Sequence, residues 1–233
     1  MTSHLHAHGI EIAVKRSHRR KTMALKVHNG EVSIHLPGHC PLCIAEDFIA
    51  SKSDWITARL AEQQQQPTRS FADGSLQPLF GEYFPITVTT ATGRRQQLDF
   101  DGQTLRCQLT VNNTDETEQV KSLLKKFYRQ QAAQQLIQRC QVLAEQYQLS
   151  PRQITVRHYR SRWGSCRSNG DIQLNWQLIQ APQPIIDYVI THELCHLQYL
   201  NHSPSFWNLV ARFDADHHQH RQWLKQHGHH LIF

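Results

Sequence analysis

The chain has no apolar run approaching the roughly 18 residues that a membrane-spanning helix needs, which excludes an integral helical membrane protein. Its opening residues, MTSHLHAHGIEIAVKRSHRRK, hold no apolar core followed by a small-residue cleavage site, so no secretory signal is expected and the expected location is cytoplasmic. Cysteine is sparse and scattered. Cys40, Cys43, Cys107, Cys140, Cys166 and Cys195 lie in unlike contexts, which argues for free thiols in a reducing compartment rather than a disulfide framework. No internal sequence repeat is evident. Acidic residues are outnumbered, 19 against 25 lysines and arginines, and the net charge of +6 favours anionic partners such as nucleic acid or phosphates. The charge is concentrated in KRSHRRK (15–21) and RHYRSRWGSCR (157–167), although basic residues on solvated strand faces need no ligand.

What is present reads as a globular protein: 233 residues, 39% hydrophobic and 19% charged, enough to bury a core as one domain or two small ones. From Ile10 to Leu36, the segments IEIAV, MALKV and VSIHL alternate with period two around the turn HNGE, which predicts a small antiparallel sheet. Leu42, Ala45, Phe48, Ile49, Ile56 and Leu60 recur at helical spacing and predict one helix over 41–66. Strands resume with PITVTT, QQLDF and LRCQLTV. A long helix is then expected over 114–148, opened by the capping-type TDETE. ITVRHY and DIQLNWQLI read as strands flanking the irregular RSRWGSCRSNG. Three further helices are expected: one from Pro182 to about Leu200, one from Ser203-Pro204 and a last one over 216–226.

The helix opened by Pro182 carries VITHELCHLQYLNHSPSFW, in which His192-Glu193-Leu194-Cys195-His196 is an HExxH motif. Residues four apart on a helix lie about 40° apart around the axis and about 6 Å along it, so two imidazoles can grip one ion. Glu193, next to His192, is placed to take a proton from an attacking water. In a chain with 17 histidines and 9 glutamates, an HExxH arises by accident roughly one time in twenty. A third histidine, His202, raises the specificity: Asn201 is suited to a left-handed helix end and Ser203-Pro204 starts a new helix, so the chain bends with His202 at the bend. Ile186, Val189, Ile190, Leu194, Leu197 and Leu200 form the apolar stripe, with the two histidines at its margin. Three neutral imidazoles with an open fourth position make a catalytic-type zinc site, with another divalent ion as the alternative. Cys195 lies near enough to compete as a ligand but reads better as a buried thiol.

RSRWGSC (160–166), DIQLNWQLIQAP (171–182) and IDYVITHELCHLQYLNHSPSFW (186–207) together resemble the YgjP-like metal-dependent hydrolases, relatives of SprT-like and other zincin domains. KRSHRRKTMALKV and GEVSIHLP resemble the same group more weakly. The element pattern is that of an α+β fold, with an N-terminal antiparallel β-rich region with one helix (1–113) up to the change of period and a C-terminal domain carrying the HExxH helix (114–233). The resemblance implies that this C-terminal domain is a zincin-like metallohydrolase, with zinc on His192, His196 and His202 and Glu193 as general base. Tyr199 stands where metzincins carry glycine, so the likeness is not to that group.

Water activation does not specify the bond attacked. Peptide or protein hydrolysis is the first expectation. A nucleotide phosphohydrolase of the nucleoside triphosphate pyrophosphatase type is the second, using RHYRSRWGSCR for phosphate contacts. A nucleic-acid-associated binding module with a structural zinc, gripping phosphates through its basic patches, is the third. No membrane partner is expected. Within RSRWGSCRSNG, Arg160 or Arg162 is a candidate for holding a substrate anion and the backbone for pairing with an extended peptide; alternatively Trp163 packs under the site helix and Gly164 makes a turn. Cys40 and Cys43, with His35 and His39, are candidates for a redox pair or half of a second zinc site, the default being free thiols. Asp214 and Asp216 are candidate carboxylates for orienting a ligand imidazole, and the His-rich termini are candidate loose metal binders.

Overall fold

The computed structural model describes residues 3–7, 9–28, 30–64, 69–92, 95–111 and 115–233. By internal contacts the chain divides into two units, Met1–Arg69 and Ser70–Phe233. Both are mixed α and β, so the chain is of the α+β class.

The first unit holds strands β1 (Ser3–Ala7), β2 (Ile10–Ser17), β3 (Ala24–His28) and β4 (Glu31–Pro37), followed by helices α1 (Leu42–Ala50) and α2 (Ser53–Gln64). The sheet order is β1-β2-β4-β3. It is mixed rather than wholly antiparallel as expected, because β2 and β4 pair in parallel, Val14 opposite Ile34. Period-two alternation fixes which face a residue occupies but not the direction of its neighbour. Ile12, Val14, Val32, Ile34 and Leu36 point to one face and share a core with Ala45, Ile49 and Ile56 of the helices. The single helix expected over 41–66 is broken at Ser51, whose hydroxyl donates to the Phe48 carbonyl and whose N–H donates to the Asp47 carbonyl, so the backbone turns there.

The second unit repeats the strand arrangement. Strands β5 (Leu76–Leu79), β6 (Glu82–Ala91), β7 (Gln97–Phe100) and β8 (Leu105–Thr110) form a sheet of order β5-β6-β8-β7, again with the middle pair parallel. Helix α3 (Glu116–Tyr147) follows. The third sheet, of β9 (Gln153–Arg157), β10 (Gly164–Cys166) and β11 (Asp171–Asn175), has order β10-β11-β9 and the same device. In each sheet a hairpin folds back so that its second strand lies parallel to the strand preceding the hairpin. No sequence repeat announces this threefold recurrence.

Helix α3 is the spine of the second unit. Val120, Leu124 and Tyr128 pack in one core with Ile86, Leu105 and Leu109, and the Tyr128 hydroxyl donates to the Pro78 carbonyl at 2.8 Å. That core also takes in Leu136, Cys140 and Leu143, together with Ile172, Leu174 and Ile190. The expected division at 113/114 therefore falls inside this unit, where strands β5–β8 and α3 bury their apolar faces against each other. Beyond β11 come a short 3-10 turn (Trp176–Gln180) and helices α4 (Gln183–Cys195), α5 (Pro204–Phe213) and α6 (His217–His227). Among the described residues no helix is long and apolar enough to cross a membrane.

Strand β11 is buried at every position, and its first residue, Asp171, is anchored by a fork from Arg152, Nε at 2.8 Å and NH2 at 2.9 Å. The Arg152 hydrogen bonds, with help from Asn169, hold the Asp171 carboxyl below the ordinary carboxylate range. A lowered pKa stabilises the fold above the unfolded-state value and loses that contribution as pH falls through the folded-state value. Arg152→Ala should therefore move the acid-unfolding midpoint upward in pH. Circular dichroism between pH 7 and pH 2 reads the shift, and coincident curves for the two proteins would contradict this role of the pair.

Candidate metal centre

Helix α4 follows its N-cap Pro182, has Pro184 in its first turn, and buries Ile185, Ile186, Val189, Ile190 and Leu194. Tyr147 and Thr191 share a hydrogen bond at 3.1 Å, and Arg139 forks onto Asp187 with two contacts of 2.7 Å, so α4 is bolted to α3 along its length. The helix stops at Cys195, earlier than the expected Leu200. The N–H of Leu197 and that of Gln198 bond to the carbonyls of Leu194 and Cys195, a tightened last turn. Asn201 is not left-handed as expected; its side chain accepts the Ser203 N–H at 3.2 Å and shapes the bend from outside the backbone. Ser203 then caps α5 by accepting the Phe206 N–H.

This bend brings His202 back to the pair. The potential ligand atoms of His192, His196 and His202 all lie within 4.8 Å of one another, the only such group of three or more among the described residues. The Nε2 atoms of His192 and His202 are 3.1 Å apart, close to the roughly 3.3 Å that two imidazole nitrogens keep on one tetrahedral zinc. His196 Nδ1 donates to the Tyr199 carbonyl at 2.8 Å, which leaves its Nε2 as the lone-pair nitrogen. The buried Nδ1 of His192 has no hydrogen-bond partner among the described residues. Burial, then His196 and His202, push the His192 pKa down to about 3, and burial lowers that of His196. Neutral imidazoles converging on one point are the donor set that a divalent ion of zinc type takes, so the residues fit the ion.

The platform under the cluster is Phe206, fully buried on the first turn of α5. Its ring centroid lies 5.0, 4.4 and 4.9 Å from those of His192, His196 and His202, stacked on the second and edge-on to the others. Trp207 flanks His192 and His202 at 5.8 and 5.7 Å. Neither aromatic was singled out from the sequence, although three residues past an N-cap serine is where a side chain turns back over the preceding bend.

Glu193, next to His192 on the same helix, packs against Gly164 of β10. It is 6% exposed, and a Cβ at Gly164 would lie 2.6 Å from its Cγ and its Oε1. Gly164 is thus not simply a turn residue: it lies in a strand and vacates the space that the Glu193 side chain fills. Burial pushes the Glu193 carboxyl up to about 8, opposed by the positive charge of Arg162 and by the Cys166 N–H. Arg162 therefore lies in the field of the carboxylate, with its guanidinium 5.5 Å over the Tyr159 ring. Arg160 is exposed on the same segment. Asn175 fixes this segment by donating to the Tyr159 and Arg162 carbonyls, both at 3.0 Å, a clamp with no signature in the sequence. Trp163 packs at the Gly228 turn beyond α6.

The remaining candidates lie elsewhere. Cys195 is fully buried and its thiol is pushed up to about 12 by burial, so it belongs to the core. Asp214 pairs at 2.8 Å with His220 rather than with a ligand histidine, and Asp216 accepts from Gln219. All six cysteines are free. Cys40 is buried against Met23 while Cys43 is exposed, and with His35 and His39 they assemble no ligand group. Of the His-rich termini, His8 lies outside the described residues.

The Gly164 geometry carries a direct test. Gly164→Ala should leave bound metal unchanged and lower turnover at least about 10-fold by displacing the carboxylate; metal analysis with steady-state kinetics checks it, and undiminished turnover would contradict the seat. A family model described as YgjP-like, metallopeptidase domain, matches residues 21–227. No curated protein and no solved structure gives a significant match. The match encloses the three histidines, Glu193 and the β10 strand that seats it, and the chain belongs to the YgjP-like metallopeptidase-domain family.

Proposed function

We propose that the protein is a zinc-dependent peptidase that hydrolyses a peptide laid in extended form along β10. The observation that carries this reading is the position of Glu193, whose side chain runs from the histidine helix onto an edge strand. Strand β10 pairs with β11 on one side and is the outer member of its sheet. The Asn175 N–H donates to the Trp163 carbonyl and the Arg167 N–H to the Asp171 carbonyl, so residues 163, 165 and 167 face β11. By the alternation of an antiparallel ladder, the backbone groups of Gly164 and Cys166 face away from it. Apart from the Cys166 N–H, which is turned to the Glu193 carboxylate, these groups form an edge that an extended peptide joins through main-chain hydrogen bonds, which favours peptide over other substrates.

A bound zinc ion would supply a Lewis acid that polarises the scissile carbonyl and acidifies water. His192, His196 and His202 would hold it, with the His196 tautomer set by the Tyr199 carbonyl. Glu193 takes the proton from the attacking water and delivers it to the departing amine. Phe206 and Trp207 keep the imidazoles in place and limit water on the buried side of the cluster.

A second reading, hydrolysis of a nucleoside triphosphate, is favoured by Arg162, whose positive charge bears on Glu193 and would suit a phosphate as well as a peptide carboxylate. One experiment separates the two. Wild type and Glu193→Gln are assayed on casein peptides and on nucleoside triphosphates, with and without chelator, alongside metal content. The expected result is chelator-sensitive peptide cleavage that falls about 10²- to 10⁴-fold in Glu193→Gln while metal is retained. Pyrophosphate or phosphate release confined to the nucleotides overturns the peptidase reading in favour of the second.

A further inference from the structure

The first unit covers one face of its sheet and leaves the other open. Ile12, Val14, Val32, Ile34 and Leu36 turn inward onto α1 and α2. The alternate positions of the same strands, Ala13, Lys15, Ser33 and His35, turn outward, joined by Ala24 and Lys26 of β3. The pairing register sets Lys15 directly opposite His35, and Ala24 opposite His35 on the other side, with Lys26 opposite Ser33. Neighbouring strands lie about 4.8 Å apart, so these groups share one compact patch. Arg19, Arg20 and Lys21 follow the end of β2 and border it.

None of Lys15, Arg19, Arg20, Lys21 and Lys26 makes an ion pair with a described acidic residue. Arg16, on the inward alternation, differs: its guanidinium is committed to the carbonyls of Pro37, Gly38 and Cys40. The Nε of Arg20 is buried and has no hydrogen-bond partner. Burial, followed by the charges of Lys26, Arg20 and Lys15, depresses the His35 pKa, and three cations therefore act on one point of the open face. The acidic residues of this face, Glu11 and Glu31, lie at the opposite end of the strands, and Glu11 is paired with His4 at 3.0 Å.

We propose that this open face of the first unit binds the phosphodiester backbone of a nucleic acid without regard to sequence. Charge complementarity selects the occupant. The patch offers unpaired lysines and arginines separated by Ala13, Ala24 and Ser33, small residues that let a phosphate chain approach the strands. Among the described residues it presents no phenylalanine, tyrosine or tryptophan on which bases would stack, His35 being its one ring, and no apolar centre for a protein interface or a lipid surface. Contacts of this type hold the backbone and read no base edges. The site is independent of the metal centre, so peptidase activity and nucleic-acid binding can fail separately.

The test measures binding of the full-length protein to two fluorescent 20-base-pair duplexes of unrelated sequence between 50 and 300 mM salt. Wild type is expected to bind both equally, with log K falling linearly against log salt by about 0.9 per phosphate neutralised. Lys15→Ala/Lys26→Ala should reduce that slope by about 2, and Lys15→Arg/Lys26→Arg should keep it, which separates lost charge from lost fold. Unchanged slope and affinity in the alanine double variant overturn the proposal. So does absence of binding at 50 mM salt, or tighter binding to poly-glutamate or anionic vesicles than to the duplexes.

Discussion

The site rests on how closely helix α4 can approach strand β10. A glutamate side chain occupies the space where any residue but glycine at 164 would carry its Cβ. That contact sets the depth at which the helix sits, and the depth sets where His192 and His196 emerge at its margin. The bend after Cys195 then has to return a third imidazole to the same point, which it does by seating His202 on the Phe206 ring. The Glu193 carboxylate packed on β10 and the histidine cluster are thus held by one short stretch of chain, the end of α4 and the bend that follows it. Close packing transmits a displacement of either to the other, because interiors of this density have little room to relax.

The histidine cluster was legible in the sequence because its logic is local. His192 and His196 are one helical turn apart, and Ser203-Pro204 marks a restart that leaves His202 in a bend. The residues that hold the cluster were not legible, because their roles depend on approach between distant segments. Gly164 looks like a turn residue until the carboxylate beside it is seen, and Asn175 looks like a strand end until its amide is found on the carbonyls of Tyr159 and Arg162. The left-handed Asn201 was misread for a related reason: an asparagine side chain can shape a bend by accepting a nearby N–H without its own backbone changing region.

The same distinction runs through the fold. Helix α3 was legible over nearly its whole length, since Val120, Leu123, Leu124, Phe127, Leu136, Cys140 and Leu143 follow one stripe. Strand alternation located β2 and β4 but carries no information on the direction of a neighbour, so the antiparallel expectation for the N-terminal region missed the parallel pairs β2–β4 and β6–β8. Strand β1 was hidden because HLHAH reads as a histidine tract, although its Leu5 is opposite Ile12 and packs against the core. The boundary at 113/114 followed a change of period, whereas the structural division follows which apolar faces share a core.

Burial has also sorted the thiols. Cys107, Cys140 and Cys195 are pushed up to about 12 and Cys166 to about 11, mainly by loss of solvent, and Cys40 is enclosed beside Met23. Cys43 alone is exposed, near the start of α1, in the unit that does not contain the histidine cluster. Cys166 on β10 is half-buried, so a maleimide dye or spin label meets Cys43 first, on the N-terminal unit, and Cys166 more slowly, beside Glu193.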